Sequence, residues 1–274
     1  MNDLATLQQT ALRIREHVLA MAAGPVGAHV GGSLSAADIL TVLYFHVLRV
    51  RPDDPHWDQR DYFILSKGHA GAGLYATLAE RGFFPVDELA TYARPGGRLL
   101  SHPTLKVPGV EFPTGSLGHG LSLGVGLALT TQLDRRTNRT FVLMGDGELQ
   151  EGSVWEAAMA APHFGLDNLV AIVDRNRLQI SGRTEQRMRL EPLAERWQSF
   201  GWNVLTVNGH DIAALLAAFE QIPIQPMQPT LLLANTVKGQ GVKFMADRKK
   251  SHYVTLTADL HRKALRELHE GAKR

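Results

Sequence analysis

Residues 140–152 read Thr-Phe-Val-Leu-Met-Gly-Asp-Gly-Glu-Leu-Gln-Glu-Gly, or TFVLMGDGELQEG. The run from Thr140 to Met144 has the unbroken, β-favouring character of a strand covered on both faces. Gly145-Asp146-Gly147 stops it abruptly, and a helical pattern follows over 153–164. A buried strand that breaks into a glycine turn and then a helix is one unit of an α/β fold. An acid held between two glycines stands where such folds place their ligands, just beyond the carboxyl end of the strand.

The same alternation continues in both directions. Phe63-Ile64-Leu65, Leu169 to Val173, Val204 to Val207 and Leu231 to Ala234 read as further strands. Helical patterns occupy 71–81, 120–134 and 211–220, and a last one runs over 257–271. Leu4, Leu7, Ala11, Ile14 and Val18 make the N-terminus an amphipathic helix. The three prolines of 223–229 mark a loop that leads into the last strand. These signs predict an α/β fold: a doubly wound, mostly parallel sheet with helices on both faces. The expectation is one domain over 1–274 with a C-terminal helical tail, Leu260-His261-Arg262-Lys263 to Arg274. No apolar run is expected to reach membrane-spanning length.

Composition narrows the function. The 274 residues carry 29 basic and 27 acidic side chains, interspersed along the chain. Arg248-Lys249-Lys250 is the one short basic run, so nucleic acid is not an expected partner. With no cysteine, disulfides, thiolate metal sites and cysteine nucleophiles are excluded. A cytoplasmic location is expected.

Polar residues collect at three predicted strand ends: Ser66-Lys67-Gly68-His69, Gly145 to Glu151, and Asp174-Arg175-Asn176. Taken alone, Gly145-Asp146-Gly147 is compatible with a plain strand-to-helix turn whose Asp caps the next helix. A second reading treats Asp146 and Asn176 as hard oxygen ligands for Mg²⁺ or Ca²⁺. Gly147 would then offer its bare N–H to a phosphate, and the following helix would turn its positive end toward the same anion.

Gly145-Asp146-Gly147 followed by Asn176 resembles the thiamine diphosphate fingerprint. GAHVGGSLS (27–35), LSKGHA (65–70), TGSLGHG (114–120), GDGELQEG (145–152) and TVKGQGV (236–242) occur in the order of the transketolase family, and resemble its small, split members in particular. The resemblance covers about residues 10 to 255. It implies the N-terminal, diphosphate-binding part of an enzyme that moves a two-carbon ketol unit from a ketose (phosphate) to an aldose (phosphate). It further implies a separate C-terminal subunit carrying the pyrimidine-binding domain, in a heterotetramer of two plus two.

By that resemblance Asp146, Asn176 and the carbonyl of Leu178 hold the metal, Mg²⁺ or Ca²⁺. His69, His252 and Gly147 meet the diphosphate end of thiamine diphosphate. Gly115, Ser116 and Leu117 line its ring. His29 and His102 face the sugar, where a group that titrates near neutrality is useful. Glu151 and Glu156 correspond to glutamates that link two cofactor sites across a dimer. Glu148 is expected to be a solvated or supporting acid. Lys250-Ser251-His252-Tyr253 departs from the tryptophan-histidine pair common in small members. Ser101 and Thr104 depart from the family's usual glycine and acid.

Rival readings are another thiamine diphosphate enzyme, such as a deoxyxylulose phosphate synthase or a 2-oxo acid dehydrogenase or decarboxylase subunit, and a non-catalytic module that only holds cofactor or partner. A dinucleotide binder is disfavoured because no G-x-G-x-x-G follows the first strand.

Overall fold

The computed structural model describes residues 3–272. Its elements run α1 (Leu4–Ala22), α2 (Val30–Val42), β1 (Tyr62–Leu65), α3 (Gly71–Arg81), α4 (Gly120–Leu133), β2 (Thr140–Gly145), α5 (Gly152–His163) and β3 (Leu169–Arg175). Then come a small hairpin of β4 (Leu178–Gln179) and β5 (Gly182–Arg183), the short α6 (Thr184–Arg187), α7 (Leu193–Ser199), β6 (Asn203–Asn208), α8 (Ile212–Glu220), β7 (Thr230–Asn235) and α9 (Ala258–Ala272). The main sheet has the order β1-β2-β3-β7-β6, and every pairing in it is parallel. All carboxyl ends therefore lie along one edge.

The central strands explain the apolar runs. Every residue of β2 and β3 is buried. Alternate side chains enter opposite cores: Phe141, Leu143, Val170 and Ile172 pack with α1, α2 and α3. Val142, Met144, Ala171 and Val173 pack with α4, α5 and α7. β6, at one edge of the sheet, is only partly covered. Asp3 caps α1 by accepting from the Thr6 N–H at 2.7 Å, and Asp211 caps α8 by accepting from Ala214 N–H.

Helix α2 was not expected from the sequence. All thirteen of its residues are buried, so no polar face marks a period. The expectation that no run reaches membrane-spanning length is corrected here as well. Val30–Val47 is long and apolar enough for that, but 83% of it is buried inside the protein. Glycines, serines and Asp38 interrupt its sequence. The helix supplies the middle of the core, where truncating a side chain such as Leu34 to Ala costs about 2–5 kcal/mol. Lys273 and Arg274 of the expected charged tail lie outside the described residues.

Candidate active site

The edge bearing the strand ends is organised by a buried knot. Lys67, just past β1, donates from Nζ to Asp174 Oδ2 at the end of β3 and to the Gly32 carbonyl in α2 at 3.0 Å. Asp174 also accepts from Ser35 Oγ at 2.6 Å and from the Thr236 hydroxyl beyond β7. Burial would raise the Asp174 carboxyl, but Lys67 and the hydroxyls outweigh it and hold it low. One ion pair thus fixes the mutual position of two strand ends, the start of α2 and the loop after β7.

Beside this knot lie the three predicted metal ligands. Asp146 is buried, and its Oδ1 accepts from Gly147 N–H at 2.7 Å. Its Oδ2 accepts from Arg177 N–H at 2.5 Å and from Arg175 at 3.1 Å. Burial pushes the Asp146 carboxyl up, with Asp174 nearby adding to the effect, against the pull of Arg175. Asn176 Oδ1 turns back to accept from Leu178 N–H at 3.1 Å. The Leu178 carbonyl accepts from Lys238 Nζ at 3.0 Å. The donor set is one carboxylate, one amide oxygen and one main-chain oxygen, all hard, and the last already faces a cation. That chemistry fits a divalent ion of the Mg²⁺ or Ca²⁺ type.

Four histidines from distant parts of the chain close the site. The His29 ring centroid lies 5.8 Å from that of His69, 5.5 Å from His102 and 5.3 Å from His252. Tyr253 stands edge-on to His29 at 4.7 Å. Burial, then the neighbouring His102 and Lys238, lowers the His29 pKa to about 4. Burial, then Lys238, does the same for His252, also to about 4. His69 is held well below its ordinary value by burial and by Lys67. The three are neutral imidazoles at neutral pH. The Nδ1 of His252 lies 3.0 Å from Lys238 Nζ, so it accepts, and its proton resides on Nε2. The buried Nδ1 of His29 has no hydrogen-bond partner.

The loop over Gly115, Ser116 and Leu117 lies against this cluster. A Cβ on Gly115 would meet the His102 ring at 3.3 Å, and one on Gly68 would meet Gly115 N at 2.7 Å. Glycine is therefore needed at position 68 for the two loops to touch. Glu151 and Glu156 are exposed near the start of α5, Glu151 bordering Gly118. Of the two expectations for Glu148, a solvated or a supporting acid, the structure shows the second. Glu148 is 2% exposed, because its side chain folds back under the turn to meet backbone N–H groups.

Several side chains at the site were given no role from the sequence. Lys67 and Lys238 sit inside quoted motifs, yet only the fold shows them at 0% and 2% exposure among carboxylates and carbonyls. A lysine directly after a buried strand was the available signal. Arg175, 1% exposed, also meets Glu191 at 2.6 Å and Thr184, tying α6 and the segment before α7 to Asp146.

The comparisons with known proteins show which family carries this arrangement. The family described as "Transketolase, thiamine diphosphate binding domain" matches residues 8–269. The chain is 45% identical over 268 residues to one subunit of an apulose-4-phosphate transketolase from Phocaeicola vulgatus, covering 98% of this chain and 95% of that one. It is 44% identical to a 6-deoxy-6-sulfo-D-fructose transketolase subunit of a Clostridium species, covering 89% and 90%. Among solved structures, the transketolase of Campylobacter jejuni superposes with a TM-score of 0.90 at 33% identity. That match covers all of this chain but 43% of the other, and the Leishmania mexicana transketolase gives 0.90 at 28% identity over 42% of its length. The fold and site define a thiamine diphosphate-binding domain. The chain belongs to the transketolase family and corresponds to its N-terminal part.

Proposed function

We propose that this chain is the N-terminal, diphosphate-binding subunit of a split transketolase, transferring a two-carbon ketol unit from a ketose (phosphate) to an aldose (phosphate). The observation that carries the reading is the convergence of His29, His69, His102 and His252 beside the buried oxygen set of Asp146, Asn176 and Leu178. Relatives matched nearly end to end are named as subunits, which supports a second polypeptide. In this reading that polypeptide bears the pyrimidine-binding half, in a two-plus-two heterotetramer.

In this reading Asp146, Asn176 and the Leu178 carbonyl would hold Mg²⁺ or Ca²⁺, with His69 and His252 directed at the diphosphate, while Gly147 N–H, expected to meet the phosphate, donates to Asp146 Oδ1 and steadies that ligand instead. Thiamine diphosphate, when bound, supplies the carbon nucleophile and electron sink for breaking and making the carbon–carbon bond. The chain's own residues do the rest. His29 and His102 orient the sugar hydroxyls, and a neutral His29 can take a proton from one of them. Gly115 to Leu117 exclude water from the ring side. Glu151 and Glu156, exposed at the head of α5, would meet the second cofactor site across the assembly.

None of the similar proteins reported above is a pyruvate-using enzyme or a silent module. The test is an assay of ketose cleavage with thiamine diphosphate and Mg²⁺, on this chain alone and after adding a candidate second subunit. Ketol transfer that appears only with the second subunit is the expected result. Normal turnover by this chain alone would refute the split arrangement, and pyruvate consumption in place of ketose cleavage would refute the reaction.

A further inference from the structure

Glu148 is a buried acid at the site that the proposed reaction leaves unused. It sits in the single turn between β2 and α5, and its two carboxylate oxygens face different parts of the site. Oε2 accepts from Gly145 N–H at 3.1 Å, on the side of Asp146. Oε1 accepts from Gly118 N–H at 2.9 Å and from the Ser66 hydroxyl. Ser66 Oγ in turn accepts from Gly120 N–H at 3.1 Å, and Gly118 is held from its other side, its carbonyl accepting from Ser153 Oγ at 2.9 Å. Gly118 has a φ of +88°, and a Cβ there would strike Glu151 and Ser153, while Gly120 has no room for a Cβ against Ser66.

We infer that Glu148 is a positioning residue that sets the spacing between the two cofactor-binding loops, the 114–118 loop on the ring side and the Gly145-Asp146-Gly147 turn on the diphosphate side. The inference rests on reading the site as one for thiamine diphosphate. The two carboxyl oxygens together accept from all three donors at once. An amide keeps one oxygen and turns an NH₂ toward the remaining N–H, placing donor against donor. Asp is one methylene too short to reach both loops from the same backbone position.

The test uses the assembled enzyme with Glu148→Gln and Ser66→Ala. Thermal melting without cofactor checks that each variant folds, and calorimetry well below the melting temperature gives the Mg²⁺-dependent thiamine diphosphate Kd. Losing one hydrogen bond to a charged acceptor is expected to weaken binding about tenfold in Glu148→Gln. Ser66→Ala, which breaks only the ring-side branch, is expected to weaken it less, and Glu148→Asp is not expected to restore it. A merely structural role would lower the melting temperature and leave Kd unchanged, so an unchanged Kd in folded Glu148→Gln overturns the inference. Wild-type enzyme that binds no thiamine diphosphate overturns the reading of the site, and this inference with it.

Discussion

Lys67 and Asp174 form an ion pair from which water is wholly excluded, with both side chains at 0% exposure. Neither charge has solvent to fall back on, so each depends on the other. Lys67→Met is expected to destabilise the fold by about 3–5 kcal/mol, because it strands a buried carboxylate. Chemical denaturation of the two proteins measures this, and a loss below about 1 kcal/mol would show that Ser35 and Thr236 alone carry Asp174.

Asp146 carries the only carboxylate of the proposed metal set. Asp146→Ala is expected to abolish Mg²⁺-dependent thiamine diphosphate binding in the assembled enzyme, and calorimetry reads this directly. Ligand binding to the folded state raises its stability by mass action. Thiamine diphosphate should therefore raise the wild-type melting temperature only when Mg²⁺ or Ca²⁺ is present. A rise in strong chelator would remove the metal from the site.

His29 stands among aromatic neighbours, and its buried Nδ1 has no hydrogen-bond partner. His29→Ala should lower turnover by roughly 10²–10⁴-fold, the range for a lost acid–base group, with thiamine diphosphate affinity nearly intact. Steady-state kinetics set beside calorimetry separate the two. Lost affinity with normal saturated turnover would reassign His29 to the cofactor.

The histidine cluster also predicts an acid limb in stability. His29 and His252 titrate near 4 in the folded protein, against 6.5 when free. Above about pH 6.5 both states are neutral and these groups contribute nothing. Between 6.5 and about 4 the unfolded chain takes up protons that the folded one does not, so stability falls as pH drops, and the loss levels off below about 4. Melting temperatures across this window should fall less steeply for His252→Gln than for wild type. Superimposable curves would mean that His252 is protonated within the fold.

The sequence revealed the elements whose pattern is local. The buried runs of β2, β3 and β7 and the period of α1 could be read directly, and so could the motifs at the strand ends. It hid α2, because a helix buried on every side has no period to detect. It also hid the partners of charged residues. Lys67 and Glu148 look like surface residues until the fold shows what surrounds them, since burial of a charge depends on segments tens of residues away. The exposed position of Glu151 depends on the same tertiary placement of α5.

The parallel sheet has a consequence for how the site comes into being. With every strand running the same way, each carboxyl end is separated from the next by a full crossover, and the histidine cluster draws on positions 29, 69, 102 and 252. No short fragment contains it. Contacts this distant along the chain form only after large loops have closed, which slows folding. A chain cleaved before β7 would lack Lys238 and His252, and with them the cation against the Leu178 carbonyl and one wall of the histidine cluster.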